Sequence, residues 1–207
     1  FKGDMIAFRG KSDFSIRDLM WDRNNIRKQG SAISVSVGPN WEPSTRLLIA
    51  DCSVINMDAT DIDLKTEGMR GIILVGSNNF SIERNYIKFT VSNKGTNEAI
   101  SLSNAGGGND PFVEMTDGVV RQNNCEGSGM QIDGVRMLAA DNVVHSFKFG
   151  GGITVLITCV DSTISRNTVC GGVGQDDNIT WCHGIEHWGK RCVITDNVCF
   201  DNAGNGI

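Results

Sequence analysis

Apolar residues along the chain alternate with polar or small ones in brief runs. Ile6 and Phe8, Ile33 and Val35, Ile72 and Leu74, Ile100 and Leu102 mark four of them. Met130 and Ile132, Ile153 and Val155, Ile185 and His187 mark three more. Alternation over four to eight residues places one side chain set on each face of a β-strand. No helical period persists long enough to supply crossover helices. A second short motif recurs after these runs: an apolar residue, two spacers, often Asn or Asp, one spacer, then an apolar residue or Cys. It reads "IADCSV" (49–54), "IERNYI" (82–87), "VRQNNC" (120–125), "LAADNV" (138–143), "ISRNTV" (164–169) and "ITDNVC" (194–199).

The two motifs recur together. Residues 5–18 lie on residues 71–85 without a gap, setting Ile6 on Ile72, Phe8 on Leu74, Gly10 on Gly76 and Phe14 on Phe80. The unit, with two strands, repeats about seven times at a period of roughly 20–40 residues, which indicates a solenoid of stacked β-coils. A β-sandwich also supplies alternating strands, but it leaves the in-register recurrence unexplained. Asn85, Asn123, Asp141, Asn167 and Asn197 share one position of the repeat. Stacking sets such a column about 4.8 Å apart, close enough for side-chain amides to bond one another and the turn backbone.

The segments "SIERNYI", "TISRNTV" and "VITDNVCFDNAGNGI" resemble the repeats of right-handed parallel β-helix proteins of the pectate-lyase-like superfamily. The resemblance spans nearly the whole chain and implies an all-β, single-stranded β-helix domain over residues 1–207. That superfamily includes pectate lyases, polygalacturonases, alginate-modifying enzymes and phage tailspike depolymerases. A polysaccharide substrate is therefore what the resemblance implies. A tailspike would in addition be a homotrimer, virion-associated or otherwise extracellular.

Strand parity assigns directions to the side chains. The outward columns of the first strand read Ala7, Ser34, Ile73, Ser101, Gln131, Thr154, Glu186, and Arg9, Ser36, Val75, Ser103, Asp133, Leu156, Trp188. The outer face thus becomes polar and aromatic toward the C-terminus, while His187 falls in the inward column. Long insertions follow the strand at 38–46 and 104–117, and precede it at 56–70, 88–98 and 171–182. Loops on both sides of one strand column wall a groove suited to an extended polymer.

Glu186 is the leading candidate for acid or base, with Trp188 as a platform on which a sugar ring stacks. Asp133 and Gln131 lie two coils earlier on the same face. The Asp133 and Glu186 backbones are expected on the order of 12 Å apart, so the pair reaches the roughly 6.5–9.5 Å of an inverting glycosidase only by leaning together. Asp176 and Asp177, in "GQDDN" just before "HG" (183–184), are further catalytic carboxylates or an ordinary acidic turn. These letters resemble elements of the polygalacturonases, but only five residues separate Asp177 from His183, so the likeness is local. Trp181 is a second aromatic candidate for substrate binding. Lys190 and Arg191 are cations for a uronate carboxylate or solvated turn charges. No cofactor is expected. The one metal open is calcium, at Asp176 and Asp177 or at Asp58, Asp61 and Asp63, and the latter segment lacks the spacing and Gly of an EF-hand loop.

Composition narrows the classes. A formal charge of −5 argues against a nucleic-acid partner. No apolar run is long enough for membrane insertion, and no signal peptide is visible. The seven cysteines form no CxxC pair and read as buried free thiols, with one disulfide among the last five left open. The chain opens on "FKGDMIAF" and stops at "GNGI", where another unit begins, so it reads as part of a longer protein. Hydrolysis of a polysaccharide is the favoured function. Elimination by a lyase and a non-catalytic glycan-binding or structural segment are the alternatives.

Overall fold

The computed structural model describes residues 4–23, 30–58, 68–91, 97–148, 150–174 and 182–207. They wind into seven coils. The first holds β1 (Ile6–Arg9), β2 (Ser12–Arg17) and β3 (Met20–Asp22); the second holds β4 (Gly30–Ser36), β5 (Ser44–Ala50) and β6 (Ser53–Asp58). The third comprises β7 (Met69–Val75), β8 (Ser77–Glu83) and β9 (Tyr86–Val91). In the fourth, β10 (Glu98–Ser103) leads into a hairpin, β11 (Ala105–Gly107) and β12 (Asp110–Val113), before β13 (Thr116–Arg121) and β14 (Asn124–Glu126). The fifth has β15 (Gly129–Ile132), β16 (Leu138–Ala140) and β17 (Val143–His145); the sixth has β18 (Gly150–Val155), β19 (Thr163–Ser165) and β20 (Thr168–Cys170). The last has β21 (Cys182–His187), β22 (Val193–Thr195) and β23 (Val198–Phe200).

Corresponding strands stack in parallel into three seven-stranded sheets: A from β1 to β21, B from β2 to β22 and C from β3 to β23. The chain is a parallel β-helix of about seven coils. Sheet A keeps the register expected from the repeat, pairing Ile6, Ile33, Ile72, Ile100, Met130, Ile153 and Ile185 in one column. All but Ile6, half-buried in the outermost first coil, are at most 1% exposed, and with Phe80, Ile82, Ile87 and Val169 these six fill one continuous core.

Each coil gives three strands to the stacked sheets where the sequence suggests two. The second motif is not one strand: it is the corner between sheets B and C. "IERNYI" ends β8, turns at Arg84 and Asn85, and begins β9. The turn residues Asp18, Asp51, Arg84, Gln122, Asp141, Arg166 and Asp196 all take positive φ, between 53° and 57°. A left-handed residue breaks the strand and redirects the chain, and Asp or Asn tolerates it best.

The next residue in each corner builds the amide ladder, and here the register differs from the sequence reading. Asn142, not Asp141, is the rung, because Ala139 rather than Leu138 pairs with Val120. The ladder runs Asn85, Asn123, Asn142, Asn167, Asn197. From Asn123 onward each Oδ1 accepts the backbone N–H and the Nδ2 of the rung in the coil before it, as Asn142 does from Asn123 at 3.0 Å in both cases. Each Nδ2 also donates to a carbonyl of the preceding coil, from Ile49 for Asn85 to Ile164 for Asn197. Cys52 fills the next position, its backbone N–H donating to Asn85 and its thiol lying 3.8 Å from the Ile16 carbonyl. Asp141, displaced to the turn, instead grips Arg166 through two bonds of 2.8 and 3.0 Å.

A second corner, where the chain enters sheet B, repeats the device. Asp13, Arg46, Asn79, Asp117, Arg136, Asp161 and Arg191 have φ between 51° and 58°. Their charges alternate, and Asp13–Arg46, Asp117–Arg136 and Asp161–Arg191 form two-point ion pairs. All seven cysteines are free thiols.

Candidate functional site

The outer face of sheet A is the surface singled out by sequence, and its column is as expected: Ala7, Ser34, Ile73, Ser101, Gln131, Thr154 and Glu186 lie in register. Glu186 sits on β21 opposite Thr154, half-buried, and makes no hydrogen bond or ion pair among the described residues. Just past the strand, the Trp188 N–H donates to the Val155 carbonyl at 2.9 Å, which fixes the backbone there. Its side chain is 56% exposed. A free carboxyl group and an open indole therefore share one edge of the sheet.

His187 departs from expectation. It pairs with Val155 and so belongs to the inward column, yet it is exposed. β21 is the outermost strand of sheet A, and no neighbouring strand covers that end of the column.

Asp133 departs further. It follows β15 and is only 3% exposed, so it does not stand on an open outer face. One oxygen accepts the Gly134 N–H at 2.8 Å and the Thr158 hydroxyl at 2.6 Å, and the other accepts the Asn104 N–H at 3.1 Å. Those partners come from the fourth, fifth and sixth coils. A carboxylate so engaged ties loops together; a general base needs a free lone pair facing the substrate. Gln131, half-buried, likewise braces the stack by donating to the Leu102 carbonyl at 3.2 Å.

The cations divide. Arg191 donates to Asp161 at 2.6 and 2.8 Å and belongs to the charged corner of sheet B. Lys190 is exposed, and its side chain has no partner among the described residues. Asp176, Asp177 and Trp181 lie outside the described residues, as do Asp61 and Asp63.

One wall of the groove is visible. Residues 37–43 and the β11–β12 hairpin both leave the C-terminal edge of sheet A. At Gly106 (φ +77°) a Cβ would come within 1.8 Å of the Pro111 carbonyl and 3.2 Å of the Trp41 ring, so the hairpin closes tightly beside Trp41. Phe112 on this hairpin is 58% exposed. Most of the insertions that precede sheet A, on the opposite side, fall outside the described residues.

Two charged clusters escaped the sequence reading. Arg70 and Glu98 pair in register at the start of β7 and β10, with Nε and Oε2 2.9 Å apart but without hydrogen-bond alignment. Burial lifts the Glu98 carboxyl from 4.5 to about 7, against the opposing pull of Arg70. On sheet C, Glu126 accepts from Lys88 at 2.8 Å and from the Tyr86 hydroxyl at 2.6 Å. The same stacking that aligns Ile72 with Ile100 sets Arg70 over Glu98, so the first pair was legible in principle.

Comparison with protein-family models, with curated proteins and with solved structures gave no match.

Proposed function

We propose that this chain binds a polysaccharide along the outer face of sheet A and hydrolyses it with Glu186 as the proton-transferring carboxyl group. The observation that carries the reading is the pairing of Glu186, without a partner among the described residues, with the exposed ring of Trp188 at one edge of sheet A. An apolar sugar face stacks on the indole, and the adjacent glycosidic oxygen takes a proton from Glu186. Hydrolysis needs a second carboxylate. Asp133 is withdrawn from that role by its three hydrogen bonds, which leaves Asp176 and Asp177 as candidates. Membership of the pectate-lyase-like superfamily, with a tailspike-like trimeric and virion-associated setting, belongs to the same proposal and rests on the repeat letters and the three-sheet architecture.

The test is release of reducing ends from a panel of polysaccharides by the intact protein and by Glu186→Gln, Asp176→Asn and Asp177→Asn. Loss of cleavage in Glu186→Gln with retained binding supports the assignment; cleavage unaffected by that change refutes it. The non-catalytic reading has the engagement of Asp133 in its favour, and it prevails if glycan binds but no polymer is shortened. Ultraviolet absorbance of unsaturated uronates in the products would assign the chain to elimination instead.

A further inference from the structure

A second candidate site lies away from the face of sheet A. Between the outer side of sheet C and the turn that follows it is a cleft of about 370 Å³, lined by Lys88, Phe89, Glu126, Gly127, Ser146 and Lys148. Stacking builds it: Lys88, Glu126 and His145 are register partners on β9, β14 and β17. Both oxygens of Glu126 are held, one by Lys88 at 2.8 Å and one by Tyr86 at 2.6 Å, so this carboxylate is a fixed part of the wall. The two bonds keep Glu126 ionised below the ordinary carboxylate range and Lys88 protonated above the ordinary amine range. An ammonium has three donors, and Glu126 occupies one of those on Lys88.

Across the cleft, Lys148 is exposed and has no partner among the described residues. Ser146 turns the chain at φ 60°, its N–H bound to the Cys170 carbonyl at 3.1 Å and its hydroxyl 3.3 Å from His145 Nδ1. With Lys88 and Lys148 positive and Glu126 negative, the lining carries one net positive charge on a chain of net −5. That count matches a monoanion. The donors are ammonium and hydroxyl groups, which meet a tetrahedral oxyanion as separate point donors, whereas a planar carboxylate is best met by the fork of an arginine. The arginines at the corner leading into sheet C are already committed, Arg84 to Asp51 and Arg166 to Asp141.

We propose that this cleft binds a singly charged tetrahedral oxyanion carried on a glycan, a sulfate monoester or a phosphodiester, between Lys88, Lys148 and Ser146. The sugar part of the ligand rests on the polysaccharide reading above; the oxyanion part rests on the cleft alone.

The test is calorimetric titration of the whole chain with sodium sulfate, a sulfated monosaccharide, the methyl phosphodiester of the same sugar, its uronate and the neutral parent sugar. The sulfated or phosphodiester sugar should bind at least about tenfold more tightly than the neutral parent, with the preferred one naming the source of the oxyanion. Lys148→Glu, at an exposed position with no partner to lose among the described residues, should remove this preference, and Lys148→Gln should weaken it by less. A preference for the uronate, unchanged affinity in Lys148→Glu, or equal binding of charged and neutral sugars with no binding of sodium sulfate overturns the proposal. Sodium sulfate binding that Lys148→Glu abolishes, without any preference among sugars, supports the oxyanion site and overturns its glycan part. Cleavage assays on Glu186→Gln report on sheet A separately, so the two readings fail independently.

Discussion

Replacing Asn142 by Ala removes four hydrogen bonds from the interior of the corner between sheets B and C. Its Oδ1 accepts from the backbone and side chain of Asn123, and its Nδ2 donates to Val120 and Asn167. The losses are unequal. Asn123 Nδ2 keeps its bond to the Ile82 carbonyl, and Asn167 Oδ1 keeps the Asn142 backbone N–H. The Asn123 N–H and the Val120 carbonyl lose these partners in a region where both residues are 1% exposed. One orphaned buried donor at about 1–3 kcal/mol, two further hydrogen bonds lost at Val120 and Asn167 and a small cavity give a loss of about 4 kcal/mol. For a chain of this length that is a fall of about 9 °C in Tm. Asn142→Asp should be no better, since its second oxygen would face the Val120 carbonyl and Asn167 Oδ1 with a buried charge. Asn124→Ala, exposed beside the ladder, is the control and should stay within about 0.5 kcal/mol of the parent. Urea midpoints measure the stability, and amide exchange at Asn123 measures the local event, which matters because stacked repeats need not unfold as one unit. A parent-like midpoint in Asn142→Ala, together with an Asn123 amide still protected, would refute the ladder argument.

The other predictions concern single positions. Cys52→Asn should add a rung, with Nδ2 bonding the Ile16 carbonyl in place of the thiol, and raise stability by about 1 kcal/mol in urea unfolding. Asp133→Ala should cost about 3 kcal/mol by stranding the donors of Asn104, Gly134 and Thr158, and limited proteolysis should show the 104–115 hairpin cut first. Glu98 makes stability fall with rising pH. Its carboxyl is raised from 4.5 to about 7 by burial, so the native state holds the proton that the unfolded chain releases. Its contribution is complete below 4.5 and is lost as pH climbs through 7, about 3 kcal/mol in all, and Glu98→Gln should flatten that slope in urea midpoints taken across the window.

The inward column of sheet A was readable because burial leaves little freedom: a strand shifted by one residue would bury Ser34, Thr154 and Glu186 and expose Ile33, Ile153 and Ile185. The corner between sheets B and C carries a weaker signal. "LAADNV" offers apolar residues at both Leu138 and Ala139, and Asp141 and Asn142 are both plausible polar rungs. Only the ladder chemistry separates them. A rung must donate from Nδ2 to Val120 while accepting through Oδ1, which Asp cannot do, whereas the turn needs a left-handed residue, which Asp accepts. The same distinction hid the third sheet, since β16, β17, β19, β20, β22 and β23 have three residues each and show no alternation long enough to detect.

Parity was also silent about partners, and that is where the site changed. Asp133 and Glu186 both read as outward carboxylates, yet one is fixed by donors from three coils and the other has no partner among the described residues. The donors to Asp133 include a hairpin start at Asn104 and a turn at Thr158, whose approach depends on loop paths that strand alternation does not encode. On a β-helix, where many side chains are held by the coils above and below, a carboxyl group open to substrate is the exception. A search for chemistry on such a scaffold therefore begins by subtracting the carboxylates bound by their own stack. On sheet A that subtraction removes Asp133 and leaves Glu186; on the charged corners it removes Asp13, Asp117, Asp141 and Asp161 with their arginines.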